Sequence, residues 1–181
     1  MRILADETMA LIIDFQERLV PVIHNSEELI RSSSILVKGL KALEIPMVVS
    51  QQYTRGIGMT VPAIIEAAGE EFAYLDKVSF SCAEDEELLR KIRETGKKNI
   101  ILSGIEAHIC VLQTAIDLIA KGYNVILVED CIGSRRESDK EVAVRRAYAE
   151  GAIVTTYESI LFELTRVAKT EVFKTISGLI K

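Results

Sequence analysis

Apolar runs of strand length alternate along the chain with longer segments whose apolar positions recur every three or four residues. That alternation predicts βαβ units and a parallel sheet. The first strand spans residues 9–13 and ends at Asp14. A helix follows from a cap at Asn25 or Ser26, with Leu29, Ile30, Val37, Leu40 and Leu43 as its core-facing stripe. Strands two and three are read at 46–50 and 72–75. Ser81 with Glu84 suggests a capping box for a helix through Leu88, Leu89 and Ile92, ending near Gly96. Strand four covers 99–103, and the helix after it carries Cys110, Val111, Thr114, Ala115, Leu118 and Ile119 before stopping at Gly122. Strand five covers 124–128, and Ser138 with Glu141 caps the next helix, which runs to about Glu150. Strand six covers 152–155, followed by a short helix near 157–166 and a C-terminal helix from about Thr170.

Six strands with intervening helices make an α/β fold: a doubly wound, mainly parallel sheet with helices on both faces, a Rossmann-like three-layer sandwich. The 181 residues form one domain with enough chain to bury a core, its body at about 8–165. Ligands in such sheets bind beyond the carboxyl ends of the strands, where the winding direction reverses.

Three residues arrive at that edge from three strands. Asp14 ends strand one, Lys77 lies just past strand three, and Cys110 stands in the first turn after strand four. A free thiol has a pKa of about 8.5 and reacts as the thiolate. A helix N-terminus and a nearby ammonium favour that anion, and Asp14 can take the thiol proton and return it to a leaving amine. Backbone N–H groups at the same helix start suit a developing oxyanion. Each residue also has an ordinary structural role: a small buried hydrophobe for Cys110, a turn cap for Asp14, a solvated loop charge for Lys77.

Composition narrows the partners. A net charge of -5 and a pI near 5.2 argue against a nucleic-acid or anionic-membrane surface, because counterion release needs clustered Lys and Arg. No apolar run approaches the roughly 18 to 20 residues that span a bilayer, and Met1 to Glu7 does not read as a signal peptide. The three cysteines, Cys82, Cys110 and Cys131, are an odd number without CxxC spacing, which favours a reduced, cytoplasmic setting over disulfides or a zinc site.

The same segments carry a resemblance. Asp14-Phe15-Gln16, Lys77-Val78-Ser79-Phe80-Ser81 and Gly104-Ile105-Glu106-Ala107-His108-Ile109-Cys110-Val111 occur in order. Over about residues 8–165 the chain is similar to the isochorismatase-like cysteine hydrolases, and to their isochorismatase-domain-containing branch. The resemblance implies an Asp-Lys-Cys catalytic triad of Asp14, Lys77 and Cys110. It also implies a cis peptide between Ile105 and Glu106, an oxyanion hole made by the N–H groups of Glu106 and Cys110, and self-association.

The chain departs from the metal-dependent nicotinamidases of that family. Its segment after strand two, Ser50-Gln51-Gln52-Tyr53-Thr54-Arg55-Gly56, has no His and no carboxylate, and His24 and His108 are the only histidines. No metal and no other cofactor are therefore expected. Gln16, Gln52, Tyr53, Phe80 and His108 are candidates for the substrate pocket, and Arg135 and Arg136 for attracting a carboxylate. The leading expectation is a metal-independent hydrolase of a small amide, carbamoyl or related C–N substrate. An isochorismatase-type vinyl ether hydrolase, a non-catalytic oligomeric interaction protein and a thiol redox sensor are the alternatives.

Overall fold

The computed structural model describes residues 1–70 and 72–181. Its sheet has six strands: β1 (Thr8–Ile13), β2 (Met47–Gln52), β3 (Leu75–Lys77), β4 (Asn99–Ile105), β5 (Asn124–Gly133) and β6 (Ile153–Thr155). They lie in the order β3-β2-β1-β4-β5-β6, and every neighbouring pair is parallel. The chain winds outward from β1 to β3, then returns to place β4 on the other side of β1. The reversal point is the crevice between β1 and β4.

The helices are α1 (Ser26–Ala42), α2 (Thr54–Ile57), α3 (Pro62–Ala68), α4 (Glu86–Glu94), α5 (Leu112–Ala120), α6 (Glu137–Ala149), α7 (Tyr157–Thr165) and α8 (Glu171–Ile180). Side chains alternate across a strand, so β1 feeds two cores. Ala10 and Ile12 pack with Leu36 and Leu40 of α1, Ile64 of α3, Leu161 of α7 and Ile176 of α8. Met9, Leu11 and Ile13 pack with Leu88 of α4, Leu118 of α5 and Ala147 of α6. All six residues of β1 are buried, as a central strand covered on both faces must be.

Several boundaries differ from the sequence reading. The third strand is Leu75–Lys77 rather than 72–75, because β2 runs on to Gln52 and the edge strand pairs with its polar end, Ser50 to Leu75 and Gln52 to Lys77. Lys77 therefore ends β3 instead of following it. The cap of α4 is Asp85, whose carboxylate accepts from the N–H groups of Glu87 and Leu88, while the Ser81 hydroxyl accepts from Ala83 N–H and forms no box with Glu84. Ser138 and Glu141 fall inside α6, which starts after Arg136. The short helices α2 and α3 lacked enough length to show a period. β5 extends through Glu129 and Asp130 to Gly133, past the apolar run that marked it.

Gly104 makes the crevice possible. A Cβ there would lie 2.5 Å from both the Cβ and the carbonyl oxygen of Ile13, so only glycine lets β4 close on β1 at this level. Gly104→Ala is expected to lower unfolding stability by about 1–3 kcal/mol, the usual range for overpacking. Urea denaturation checks this; an unchanged midpoint contradicts the close approach.

Candidate active site

Asp14 leaves β1 in a left-handed conformation (φ 56°), donates its backbone N–H to Ser50 O, and is fully buried. Its Oδ1 accepts from the Ser50 hydroxyl at 2.8 Å, and its Oδ2 accepts from Lys77 Nζ at 2.8 Å. Lys77 reaches it from two strands away, with its side chain fully buried. The same ammonium donates to Gln52 Oε1 at 2.5 Å and, at longer range, to the carbonyls of Ser79 and Phe80 at 3.3 and 3.2 Å. A buried cation surrounded by oxygens in this way keeps its charge.

Cys110 lies in a π-helical turn, Ala107–Val111, rather than in the first turn of a regular α-helix as expected from the sequence. The wider winding is marked by Val111 N–H donating to Glu106 O, five residues back. The turn starts at Glu106, whose left-handed backbone (φ 32°) redirects the chain out of β4. The Ile105–Glu106 peptide is trans, as are all peptides among the described residues, which corrects the cis bond expected there.

The charges of the three groups act on one another. Burial pulls the Lys77 ammonium down, but the charge of Asp14, with those of Cys82 and Cys110, outweighs it and holds the lysine above its ordinary range. Burial drives the Cys110 thiol well above a normal thiol; the Asp14 charge and hydrogen bond add to this, and Lys77 only partly opposes it. The expected anion-favouring setting is thus overturned. Desolvation in a nearly closed site (Cys110 is 5% exposed) and a facing carboxylate exceed the pull of the ammonium. Cys82 shares the field: burial raises it to about 11, and its thiol donates to the Ser50 hydroxyl at 3.6 Å.

The pocket candidates separate into groups. Gln16 is committed to the backbone: its Nε2 donates to Gln52 O and Gly58 O, and its Oε1 accepts from Gln52 N–H. The Gln52 side chain holds Lys77 with Oε1 and donates to Val78 O with Nε2. Both amides are thus bonded within the protein and shape the site. Tyr53 and Phe80 are half exposed, at 51% and 52%. His108 places Nδ1 2.9 Å from Ser134 Oγ. Arg135 Nε is paired with the Glu106 carboxylate at 2.8 Å, and its side chain is 55% exposed.

Ser50 was missed in the sequence because a serine ending an apolar strand carries no motif. The register pairing it with Ile13, one residue before Asp14, is what makes it a partner. Size does not mark this site either. A groove of about 750 Å³ lies at the opposite edge, lined by Lys41, Pro46, Met47 and Phe72, and a cavity of about 330 Å³ lies beside β5, lined by His24, Glu28, Asp130 and Lys140. Neither includes Asp14, Lys77 or Cys110. Among the described residues, no group of three or more His, Cys, Asp or Glu could hold a metal ion.

With this geometry in view, the comparisons decide the family. The family model for the isochorismatase domain matches residues 8–159. This chain belongs to the isochorismatase family of hydrolases. Isochorismatase family protein 1A of Dictyostelium discoideum is 31% identical over 173 residues, which cover 93% of this chain and 84% of that protein. The solved structure of MAR1 ribonuclease from Caenorhabditis elegans superposes with a TM-score of 0.93 at 34% identity, covering 99% of this chain and 92% of that one. An octameric hydrolase of unknown specificity from Escherichia coli shares the fold at 21% identity, with a TM-score of 0.92 and coverage of 98% and 90%.

Removing one member of a buried ion pair strands the other. Lys77→Met is expected to destabilise the protein by about 3–5 kcal/mol, and Asp14→Leu with Lys77→Met by less than the sum of the single changes. Because the folded lysine is held above its unfolded value, its contribution is full below about pH 10 and is lost as pH rises through the raised value. Chemical denaturation across pH 7 to 12 checks both: the wild-type midpoint should fall in the alkaline range more steeply than that of Lys77→Met.

Proposed function

We propose that the protein is a metal-independent cysteine hydrolase of a small amide, carbamoyl or related C–N substrate. The observation that carries this reading is the buried Lys77–Asp14 pair, 2.8 Å long, whose carboxylate acts on the Cys110 thiol. Asp14, Lys77 and Cys110 are the proposed catalytic residues. With the thiol protonated at rest, the proton moves to Asp14 as Cys110 Sγ attacks the carbonyl carbon. Negative charge passes to the carbonyl oxygen, toward the backbone N–H groups of the π turn. The C–N bond then breaks, Asp14 returns the proton to the leaving amine, and an acyl group remains on sulfur. Water, losing a proton to Asp14, cleaves that thioester, and the proton returns to the Cys110 thiolate.

Three further parts of the reading have narrower support. Homo-oligomerisation is supported by the octameric E. coli fold relative and by the exposed Tyr53, Val78 and Phe80 near the site. A cytoplasmic setting is supported by three free thiols; among the described residues no helix is long and apolar enough to cross a membrane. A small substrate is preferred to RNA because the chain carries a net charge of -5.

Turnover of an amide and ureide panel by wild type, abolished in Cys110→Ala, is the expected result; RNA cleavage faster than any panel member overturns the small-substrate reading. Alkylation of Cys110 by iodoacetamide gives a second test. Burial and the Asp14 charge should make the thiol titrate above an ordinary cysteine, and Asp14→Asn, which removes the second of these, should move the labelling profile to lower pH. A profile unmoved by Asp14→Asn contradicts the pairing of carboxylate and thiol.

A further inference from the structure

Ser50 holds Asp14 at two points. Its carbonyl accepts the Asp14 backbone N–H at 3.1 Å, and its hydroxyl donates to Asp14 Oδ1 at 2.8 Å. It is fully buried, at the level where β2 pairs with the last residue of β1. The sheet face itself calls for no hydroxyl there, since Val48, two residues earlier on the same face, packs against the apolar core.

A hydroxyl has one proton to give and lone pairs that accept. The Cys82 thiol settles which way the Ser50 proton points. Cys82 Sγ donates to Ser50 Oγ at 3.6 Å, which leaves the serine proton for Asp14. Burial pushes the Cys82 thiol up to about 11, so it keeps its proton at neutral pH and remains a donor. The Cys82 backbone N–H donates in turn to Thr114 Oγ1 on α5 at 2.9 Å, which fastens the segment that carries the thiol.

The titratable groups acting on the Asp14 carboxylate come from three elements: Lys77 from β3, Cys82 from the segment before α4, and Cys110 from the π turn. Lys77 engages Oδ2 and Ser50 engages Oδ1, so the carboxylate cannot turn without breaking a buried contact. With about four lone-pair sites, it still has room for the thiol. A hydroxyl donating to one oxygen competes with a proton for the same lone pairs.

We infer that Ser50 is a positioning residue for the reaction: its hydroxyl, aimed by the Cys82 thiol, fixes the Asp14 carboxylate and keeps the shared proton on Cys110 until attack. This rests on the proposed cysteine hydrolase reading and adds what governs its proton transfer. Ser50 acts through Asp14, so its effect has to vanish when the carboxylate is gone.

Iodoacetamide labelling at about pH 8, with each cysteine followed by peptide mapping, tests this without a known substrate. Ser50→Ala should speed Cys110 labelling by about 10-fold, the scale of one hydrogen bond to a charged group. Ser50→Thr, which keeps the hydroxyl, should stay within about 2-fold of wild type. Asp14→Asn should also speed labelling, and Ser50→Ala added to it should change nothing further. Lost packing alone would act equally in both backgrounds. If the alanine variant does not fold, Ser50→Val against Ser50→Thr gives the same comparison, because the two side chains match in shape and differ in the hydroxyl. Labelling of Cys110 that Ser50→Ala leaves unchanged or slows, or speeds equally with and without Asp14→Asn, overturns the role of Ser50. No acceleration by Asp14→Asn itself overturns the pairing of carboxylate and thiol, and the hydrolase reading with it.

Discussion

The structure around the β1–β4 crevice depends on one buried ion pair. Lys77 and Asp14 are both sealed from solvent, and each would be untenable without the other. Their contact also fastens an edge strand of three residues to the centre of the sheet across β2. Ser50 and Gln52, both on β2, complete the arrangement by binding the carboxylate and the ammonium respectively. These polar residues occupy positions that in a purely structural sheet would be apolar.

The pair also determines what kind of cysteine stands beside it. A carboxylate facing a buried thiol keeps that thiol protonated, and the lysine does not reverse this. Such a thiol resists oxidation and alkylation at rest, since the thiolate is the reactive form. In the proposed mechanism it becomes a nucleophile only when its proton passes to Asp14 as the new bond forms. A thiol redox sensor needs a low-pKa, accessible sulfur, and burial drives the Cys110 thiol the other way. Cys82, equally buried and bonded to Ser50, takes its raised pKa from the same burial and the same carboxylate.

Family membership places the chain among the isochorismatase-family hydrolases without naming its target. Chains of similar structure include one described as a ribonuclease and, sharing the fold alone, one described as a hydrolase of unknown specificity. A shared fold leaves substrate choice to the residues near the nucleophile. In this chain Glu106, Arg135, His108 and Ser134 form a polar cluster drawn from the end of β4, the π turn and the segment after β5. They come together because β5 runs on to Gly133 beside Ile105.

The strand order, the two-faced sheet and the convergence of three strand ends were legible in the chain. Period-two and period-3.6 patterns survive in any sequence that must cover both faces of a parallel sheet. Asp14 was legible as a strand end, since it follows directly on an apolar run, and Cys110 as a residue of the turn after β4. What the sequence could not carry was anything set by pairing across strands. Lys77 was legible as a candidate at that edge, but its place as the last residue of β3 needed the register on the polar end of β2; Ser50 has no meaning without Ile13 beside it. Gln16 and Gln52 resemble pocket residues until their amides are seen bound within the protein. The protonation of Cys110 was the furthest from reach. Sequence lists the lysine, the carboxylate and the thiol, but their balance depends on burial and distance, which only the folded chain sets.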